Sequence, residues 1–233
     1  MGNITVIPKR KEEIPGLGIA DVPVTYGNPY LSNLIRPRIL IPCHPLFIPG
    51  YYYASPLIVF SPSDISWDNF PANTLYVFAY PIPKGIRTHK IAIEIGGASA
   101  NSDARIEMAL YTANWVTPLS ASDCPLGMPK DLLLDMGYVQ SNSVGVKTNL
   151  FAGAKDLPAD LYWLALNNNV SDVDLVGGKA TSGIFGYSES PINASGFSIA
   201  YTYGSWPSLF PWDSTKTAHK IGLRFGFWVG ELL

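Results

Sequence analysis

The amino-acid sequence predicts an all-β fold, and three observations support an antiparallel β-sandwich. Short β-patterned segments follow one another from residue 57 to residue 229, with Pro, Gly, Ser and Asn between them. Only residues 130–136 are suited to a helical turn, so crossover helices between parallel strands are not expected. Residues 161–166 are apolar on both alternating faces, which predicts a strand covered on both sides. The preferred topology is a jelly roll.

The first 56 residues are predicted to form a Pro-rich extended arm that precedes the sandwich domain of residues 57–233. The arm contains nine prolines, which remove backbone donors and fix φ, so helices and central strands are disfavoured there. It is nevertheless too apolar for a solvated tail, with Phe47 and three consecutive tyrosines at positions 51–53. We therefore expect it to lie along a surface, either of its own domain or of a neighbouring subunit.

Two segments of the domain show the period-two alternation of a sheet with one buried face. Isoleucines alternate with Lys, Ala and Glu in residues 90–95, and apolar side chains alternate with Arg105 and Glu107 in residues 105–111. The apolar members are expected to face the core. Further strands are predicted at residues 57–60, 75–80, 144–150, 161–166, 197–203 and 220–229.

The chain carries little charge. Charged residues make up 15% of it, against about 25% in an ordinary soluble domain. This predicts that partner subunits cover part of the surface, in a homo-oligomer for which we assume a trimer; a surface of Ser, Thr and Asn is the alternative. The net charge is −2 and the one basic run, residues 9–11, is followed by two glutamates, so no nucleic-acid partner is expected.

The sequence also predicts where the protein is made. No apolar run reaches about 18 residues, so membrane insertion is not expected. The N-terminal residues lack the charged-then-apolar layout of a signal peptide. We therefore expect synthesis in the cytoplasm.

No recognisable catalytic constellation occurs in the sequence. The histidines His44, His89 and His219 lack the spacing of metal ligands, and there is no nucleophile turn or Walker loop. Asp172 and Asp174 could ligate calcium through oxygen, but the spacing of an EF-hand loop is absent. The prediction is a protein that is not an enzyme and that uses no metal and no cofactor.

Residues 201–213 have the character of a binding surface. Large aromatic side chains in a loop are costly to expose unless they cover the core or meet a partner. The candidate contacts to a glycan or to a protein partner are Tyr201, Tyr203, Trp206 and Trp212. The alternative is that the tryptophans cap an open end of the sandwich.

Several segments of the domain follow one another in an order that can be compared with known β-sandwich domains. They are residues 73–83, the paired strands that begin at Lys90 and Arg105, residues 132–137, residues 143–146 and residues 157–166. In this order they resemble a β-sandwich domain that recurs in the virion proteins of tailed bacteriophages, in tail-fibre, baseplate and minor structural proteins. The resemblance extends from Asn73 to about Phe227. A glycine often precedes the Tyr-Trp strand in that family; this chain has Asp160 there, a departure that affects only the turn.

The resemblance implies a virion structural protein associated with the phage tail, a fibre or baseplate subunit made in the bacterial host cytoplasm. The arm would contact other virion proteins, and distal loops of the sandwich would bind host-surface glycan. The family has no catalytic residues to transfer. The alternative is a capsid decoration or head-fibre protein with a purely structural role.

Overall fold

The structure is a computed structural model, and the chain divides into two compact units, Met1–Leu40 and Ile41–Leu233. The described residues are 11–14, 18–21, 47–54, 58–59, 70–117, 124–180, 196–212, 217–219, 221–223 and 225–233. In the first unit β1 (Lys11–Ile14) and β2 (Gly18–Asp21) form an antiparallel hairpin. Neither strand contains proline, so every residue of the two strands keeps its backbone donor.

The described part of the second unit consists of β-strands and their connections. The strands are β3 (Tyr52–Ala54), β4 (Ile58–Val59), β5 (Thr74–Ile82), β6 (Ile86–Gly97), β7 (Arg105–Ala113), β8 (Pro129–Gln140), β9 (Gly145–Leu157), β10 (Asp160–Asn168), β11 (Asp174–Leu175), β12 (Gly177–Ala180), β13 (Gly196–Ala200), β14 (Thr217–His219), β15 (Ile221–Leu223), β16 (Phe225–Trp228) and β17 (Glu231–Leu232). The described residues contain no helix, which confirms the predicted all-β fold.

Two large antiparallel sheets form the sandwich. Sheet I has the strand order β14-β13-β5-β10-β7-β8. Sheet II has the order β11-β6-β16-β3, and β9 and β17 also pair with β6. A smaller sheet has the order β15-β12-β4, so the segment 220–229, predicted as one strand, contributes to two sheets. The predicted antiparallel β-sandwich is confirmed.

The pairing of six consecutive strands is nested. β7 pairs with β8, β6 with β9, and β5 with β10, each pair antiparallel. These strands therefore form one long double strand that is folded back on itself at the β7–β8 connection. The double strand is wrapped so that β6 and β9 lie in sheet II and the other four lie in sheet I. Such wrapping is the principle of the jelly roll.

Apolar cores cover both faces of sheet I. The inner core lies between the sheets and includes Phe78, Tyr80, Ile91, Ile93, Ile95, Met108, Leu164, Leu166 and Phe227. The outer core lies on the opposite face and consists of Leu75, Val77, Ala79, Ala109, Tyr111, Ala113, Leu161, Trp163, Ala165, Phe197, Ile199, Trp206 and Phe210. Each core removes apolar area from water, and full burial of one large apolar side chain contributes about 1.5–3 kcal/mol.

β10 lies in the interior of sheet I, between β5 and β7. Its even-numbered apolar residues belong to the inner core and its odd-numbered ones, with Trp163 the largest, belong to the outer core. All six residues of 161–166 are buried, so the predicted burial of this strand on both faces is confirmed.

Residues 130–136 are the one segment whose sequence is suited to a helical turn, and the structure has a strand there instead. These residues lie in β8, which extends sheet I by pairing with β7. Exposed and partly buried residues alternate along the segment. A register shift against β7 between Leu132 and Leu134 places Leu132 on the outer core and Leu134 on the inner core. Three consecutive leucines hide this alternation in the sequence. The free edge of β7 selects the strand because it offers backbone hydrogen-bond partners that a short helix would leave unused.

Residues 47–54, at the end of the segment predicted as an arm, form part of the second unit. β3 pairs with β16, and the backbone N–H of Gly50 donates to the carbonyl of Val229 at 2.7 Å. Phe47 and Tyr53 pack against the inner core. Of the remaining predicted arm, residues 1–46 and 55–56, the structure describes only strands β1 and β2.

Candidate binding site

The segment 201–212 crosses the outer face of sheet I and covers the outer core. Its backbone is tied to the edge strand β8, where Leu132 N–H donates to Ser208 O at 2.9 Å and Phe210 N–H to Lys130 O at 2.8 Å. The Tyr111 hydroxyl donates to Pro207 O at 2.9 Å. Proline at positions 207 and 211 prevents a regular ladder, so these separate bonds hold the segment in place.

Trp206 and Trp212, two of the predicted contacts, pack towards the sheet. The Trp206 side chain is only 9% exposed and belongs to the outer core. Trp212 is half-buried, with its ring centroid 5.7 Å from that of Phe197, and its indole N–H donates to Pro129 O at 2.8 Å. Both rings are arranged as expected for side chains that cap the sandwich, and Trp206 offers little surface to a ligand.

Tyr201 and Tyr203, the other two predicted contacts, are half-buried. The Tyr201 hydroxyl donates to Ser205 O at 2.9 Å, and the Tyr203 backbone N–H donates to Asn73 Oδ1 at 2.9 Å. These bonds place the segment over the end of the sheet where β7 begins and β10 ends. Tyr203 thereby reaches polar residues of sheet I.

Those residues form a polar–aromatic cluster on the outer face of sheet I. Glu107 of β7 lies directly opposite Asn167 of β10 in the ladder, so their side chains project from the same face. The Arg105 guanidinium carbon lies 4.6 Å from the centroid of the Tyr138 ring. The cluster consists of Arg105, Glu107, Asp135, Tyr138, Asn167 and Tyr203.

Burial controls the electrostatics of the cluster. It raises the pKa of the Glu107 carboxyl, an effect that Asp135 reinforces and that the Tyr203 hydroxyl and Arg105 oppose. Burial, together with the charge of Glu107, raises the pKa of Tyr203 to about 12. Glu107 is therefore a poorly solvated carboxylate that gains from hydrogen-bond donors.

Two buried polar atoms of the cluster have no hydrogen-bond partner among the residues that the structure describes. They are Nε of Arg105, a donor, and Oδ1 of Asn167, an acceptor. The amide nitrogen of Asn167 is engaged, since it donates to Thr202 O at 3.5 Å. A buried polar atom without a partner costs about 1–3 kcal/mol, so the cluster favours any molecule that supplies both bonds.

An open cleft adjoins the cluster between the edge strands β8 and β9. Its volume is about 480 Å³, and it is lined by residues 135–138 and 149–152. Asp135 and Tyr138 belong to both the cleft and the cluster. The volume lies within the range of about 300–1,000 Å³ of small-molecule sites.

A second aromatic patch lies on sheet II, and a cation of the chain packs on it as Arg105 packs on the Tyr138 ring of the cluster. Tyr52 and Trp228 pack edge to face, with centroids 5.2 Å apart. Nζ of Lys90 lies 3.8 Å from the centroid of the Trp228 ring. The chain's own ammonium group therefore occupies this patch by a cation–π contact.

The described part of the chain has neither a metal-binding cluster nor a membrane-spanning helix. No three His, Cys, Asp or Glu side chains there come together to hold a metal ion. Asp172, considered for calcium, accepts a hydrogen bond from the Ala100 backbone N–H at 3.4 Å. The described residues also contain no helix long and apolar enough to span a membrane.

Sequence reasoning identified Tyr203 but did not select the other five residues of the cluster. A signal was present, because Arg105 and Glu107 are the outward members of an alternating strand. Asn167 follows Leu161, Trp163 and Ala165 at the same spacing and is the one polar residue on that face of β10. A polar residue that interrupts the apolar face of a strand is a candidate binding-site residue.

The raised pKa values of the buried tyrosines predict that the folded state loses stability at alkaline pH. Burial raises the pKa of Tyr76 to about 12, and the pKa values of Tyr80 and Tyr111 are also raised by burial. The neutral phenols favour the folded state, so their stabilisation is complete below the ordinary value of 10.0 and is lost as pH rises towards 12. Chemical unfolding at increasing pH should show this decline, and Tyr203→Phe should make it shallower. A decline that is unchanged in Tyr203→Phe would contradict the burial of this phenol.

No protein-family model matches the chain, and no curated protein matches it.

Proposed function

We propose that the protein is a tail-associated virion structural protein of a tailed bacteriophage, a fibre or baseplate subunit whose sandwich binds glycan on the host surface. The observation that carries the binding role is the polar–aromatic cluster beside an open cleft, which combines the exposed ring of Tyr138 with unmatched hydrogen-bonding atoms. The resemblance from Asn73 to about Phe227 supports the virion assignment. In this role the protein is not an enzyme and needs no cofactor.

Assembly into the particle is the second part of the proposal. The N-terminal segment contacts other virion proteins, and the sandwich forms a homo-oligomer, with a trimer as the working stoichiometry. A charged fraction of 15% supports burial of surface between subunits. The protein is made in the host cytoplasm and resides in the virion.

A capsid decoration or head-fibre protein with a purely structural role is the second candidate, and β9 is the observation in its favour. Three apolar side chains on or next to this edge strand, Val144, Val146 and Leu150, are each more than 60% exposed. Apolar side chains so close together on an edge are suited to contact with neighbouring coat subunits.

Immunogold labelling of intact virions with antibody raised against residues 57–233 separates the two candidates. The expected result is gold at the tail tip or baseplate. Gold over the capsid would overturn the tail assignment and favour the decoration protein. Pre-immune serum on the same virions is the control.

A further inference from the structure

We propose, resting on the glycan-binding role above, that the polar–aromatic cluster selects a neutral, hydroxyl-rich hexose unit and discriminates against acidic sugars. The site is the outer face of sheet I around Arg105, Glu107, Asn167 and Tyr138, rather than the tryptophans of the segment above it. Hydrogen bonding, ring stacking and charge each lead to this ligand class.

The unmatched atoms suit a ligand rich in hydroxyl groups. Nε–H of Arg105 needs an acceptor and Oδ1 of Asn167 needs a donor. A hydroxyl group is both donor and acceptor, so the hydroxyls of a hexose supply both kinds of bond. Glu107 lies opposite Asn167 and two residues from Arg105 along β7, and its carboxylate accepts from a further hydroxyl.

Access to these atoms depends on the residues that cover them. The Tyr138 ring lies over the Arg105 guanidinium, and Asn167 is fully buried, with its amide beneath the carbonyl of the exposed residue Thr202. The proposed ligand therefore displaces the Tyr138 ring, which is 44% exposed on an edge strand, and the backbone at Thr202. The same ring then offers an apolar face on which a sugar ring stacks.

The charge of the cluster discriminates between ligands. Two carboxylates, Glu107 and Asp135, are present with one guanidinium, Arg105. Burial already disfavours the charged form of Glu107, so a second anion brought close to it would be repelled. A neutral sugar avoids this repulsion and donates hydrogen bonds to the same carboxylates.

The cleft extends the site beyond a single sugar. Asp135 and Tyr138 line the cleft as well as the cluster, so a glycan held at the cluster continues between β8 and β9. Asn149 lies on the opposite wall, and its amide nitrogen donates to Met136 O. A polymer is therefore expected to bind more tightly than its monomer.

The test measures binding of the full-length protein to immobilised dextran, mannan and galactan, which are neutral, and to polygalacturonate, which is acidic. The expected result is binding to at least one neutral polymer and weaker binding to polygalacturonate. Tyr138→Ala should weaken neutral binding by about tenfold or more, as at other aromatic contacts. Tyr52→Ala is the matched control, because Tyr52 is a similarly exposed aromatic residue on sheet II.

Glu107→Gln is the second variant and keeps the size of the side chain. It should raise binding to polygalacturonate relative to the neutral polymers, because one repelling carboxylate is removed. The melting temperature of each variant establishes that the fold is retained.

The proposal and the function on which it rests fail in different ways. One contrary result is binding to polygalacturonate alone, with loss of that binding in Tyr138→Ala. This result would overturn the ligand class and leave the glycan-binding role intact. Absence of binding to all four polymers, or equal losses in Tyr138→Ala and Tyr52→Ala, would overturn the site. Gold over the capsid would overturn the tail assignment whatever the polymers show.

Discussion

Trp163→Ala is expected to lower the free energy of unfolding by about 3–5 kcal/mol. Trp163 is fully buried in the outer core, and its ring centroid lies 5.8 Å from that of Phe197. Its indole N–H donates to Gly127 O at 3.0 Å. The substitution therefore removes the largest side chain of a central strand, leaves a cavity against the covering segment 201–212 and deprives a carbonyl of its donor.

Urea denaturation followed by circular dichroism measures this change, with the m-value compared between variants. Trp228→Ala is the control, because that ring is half-buried on sheet II and belongs to neither core. Trp163→Phe, which keeps most of the apolar ring, should lie between wild type and Trp163→Ala. A loss for Trp163→Ala no larger than that for Trp228→Ala would contradict the existence of a second packed core.

Gly196→Ala is expected to destabilise the protein by about 3 kcal/mol, at the upper end of the range for overpacking. Gly196 begins β13 and lies opposite Phe78 of β5. An added Cβ would collide with the Val77 carbonyl oxygen and lie 2.7 Å from Cδ1 of Phe78. Because the closest obstacle is backbone, β13 would have to move away from β5.

Gly145→Ala is the matched control for the collision. Gly145 has φ of +100° but no atom within 4 Å of an added Cβ, so the variant measures backbone strain alone, at about 1–2 kcal/mol. Thermal unfolding of both variants compares the two costs. A Gly196→Ala variant as stable as Gly145→Ala would show that β13 is not held against β5 at this distance.

The correct sequence predictions concern segments whose pattern has a single solution. Residues 90–95 and 105–108 alternate, and no helix buries such a pattern on one face. The predicted wetter face of residues 105–111 is wrong, because Ala109 and Tyr111 lie in the outer core. The six apolar residues of 161–166 demand cover on both sides, and the structure provides it. The pattern of residues 130–136 has no single solution, since three consecutive leucines suit a helix or a strand and only the free edge of β7 decides between them.

The residues of the candidate site were harder to predict from the sequence than the fold was. Tyr203 was found because aromatic residues in a Pro-containing segment stand out, and the same signal selected Trp206, which is buried. Arg105, Glu107 and Asn167 are ordinary polar residues in their own strands. Their proximity depends on the register of β7 against β10, which pairs Glu107 with Asn167.

The sequence by itself determined the fold class, because period-two burial and the scarcity of helix-patterned segments are local properties of the chain. It also determined that one strand is covered on both faces. The tertiary structure alone decided what covers that strand, namely sheet II on one side and the segment 201–212 on the other. It alone assembled the polar–aromatic cluster, because strand order and register bring together residues that lie up to about a hundred positions apart, and neither quantity is encoded in the local pattern of any one strand.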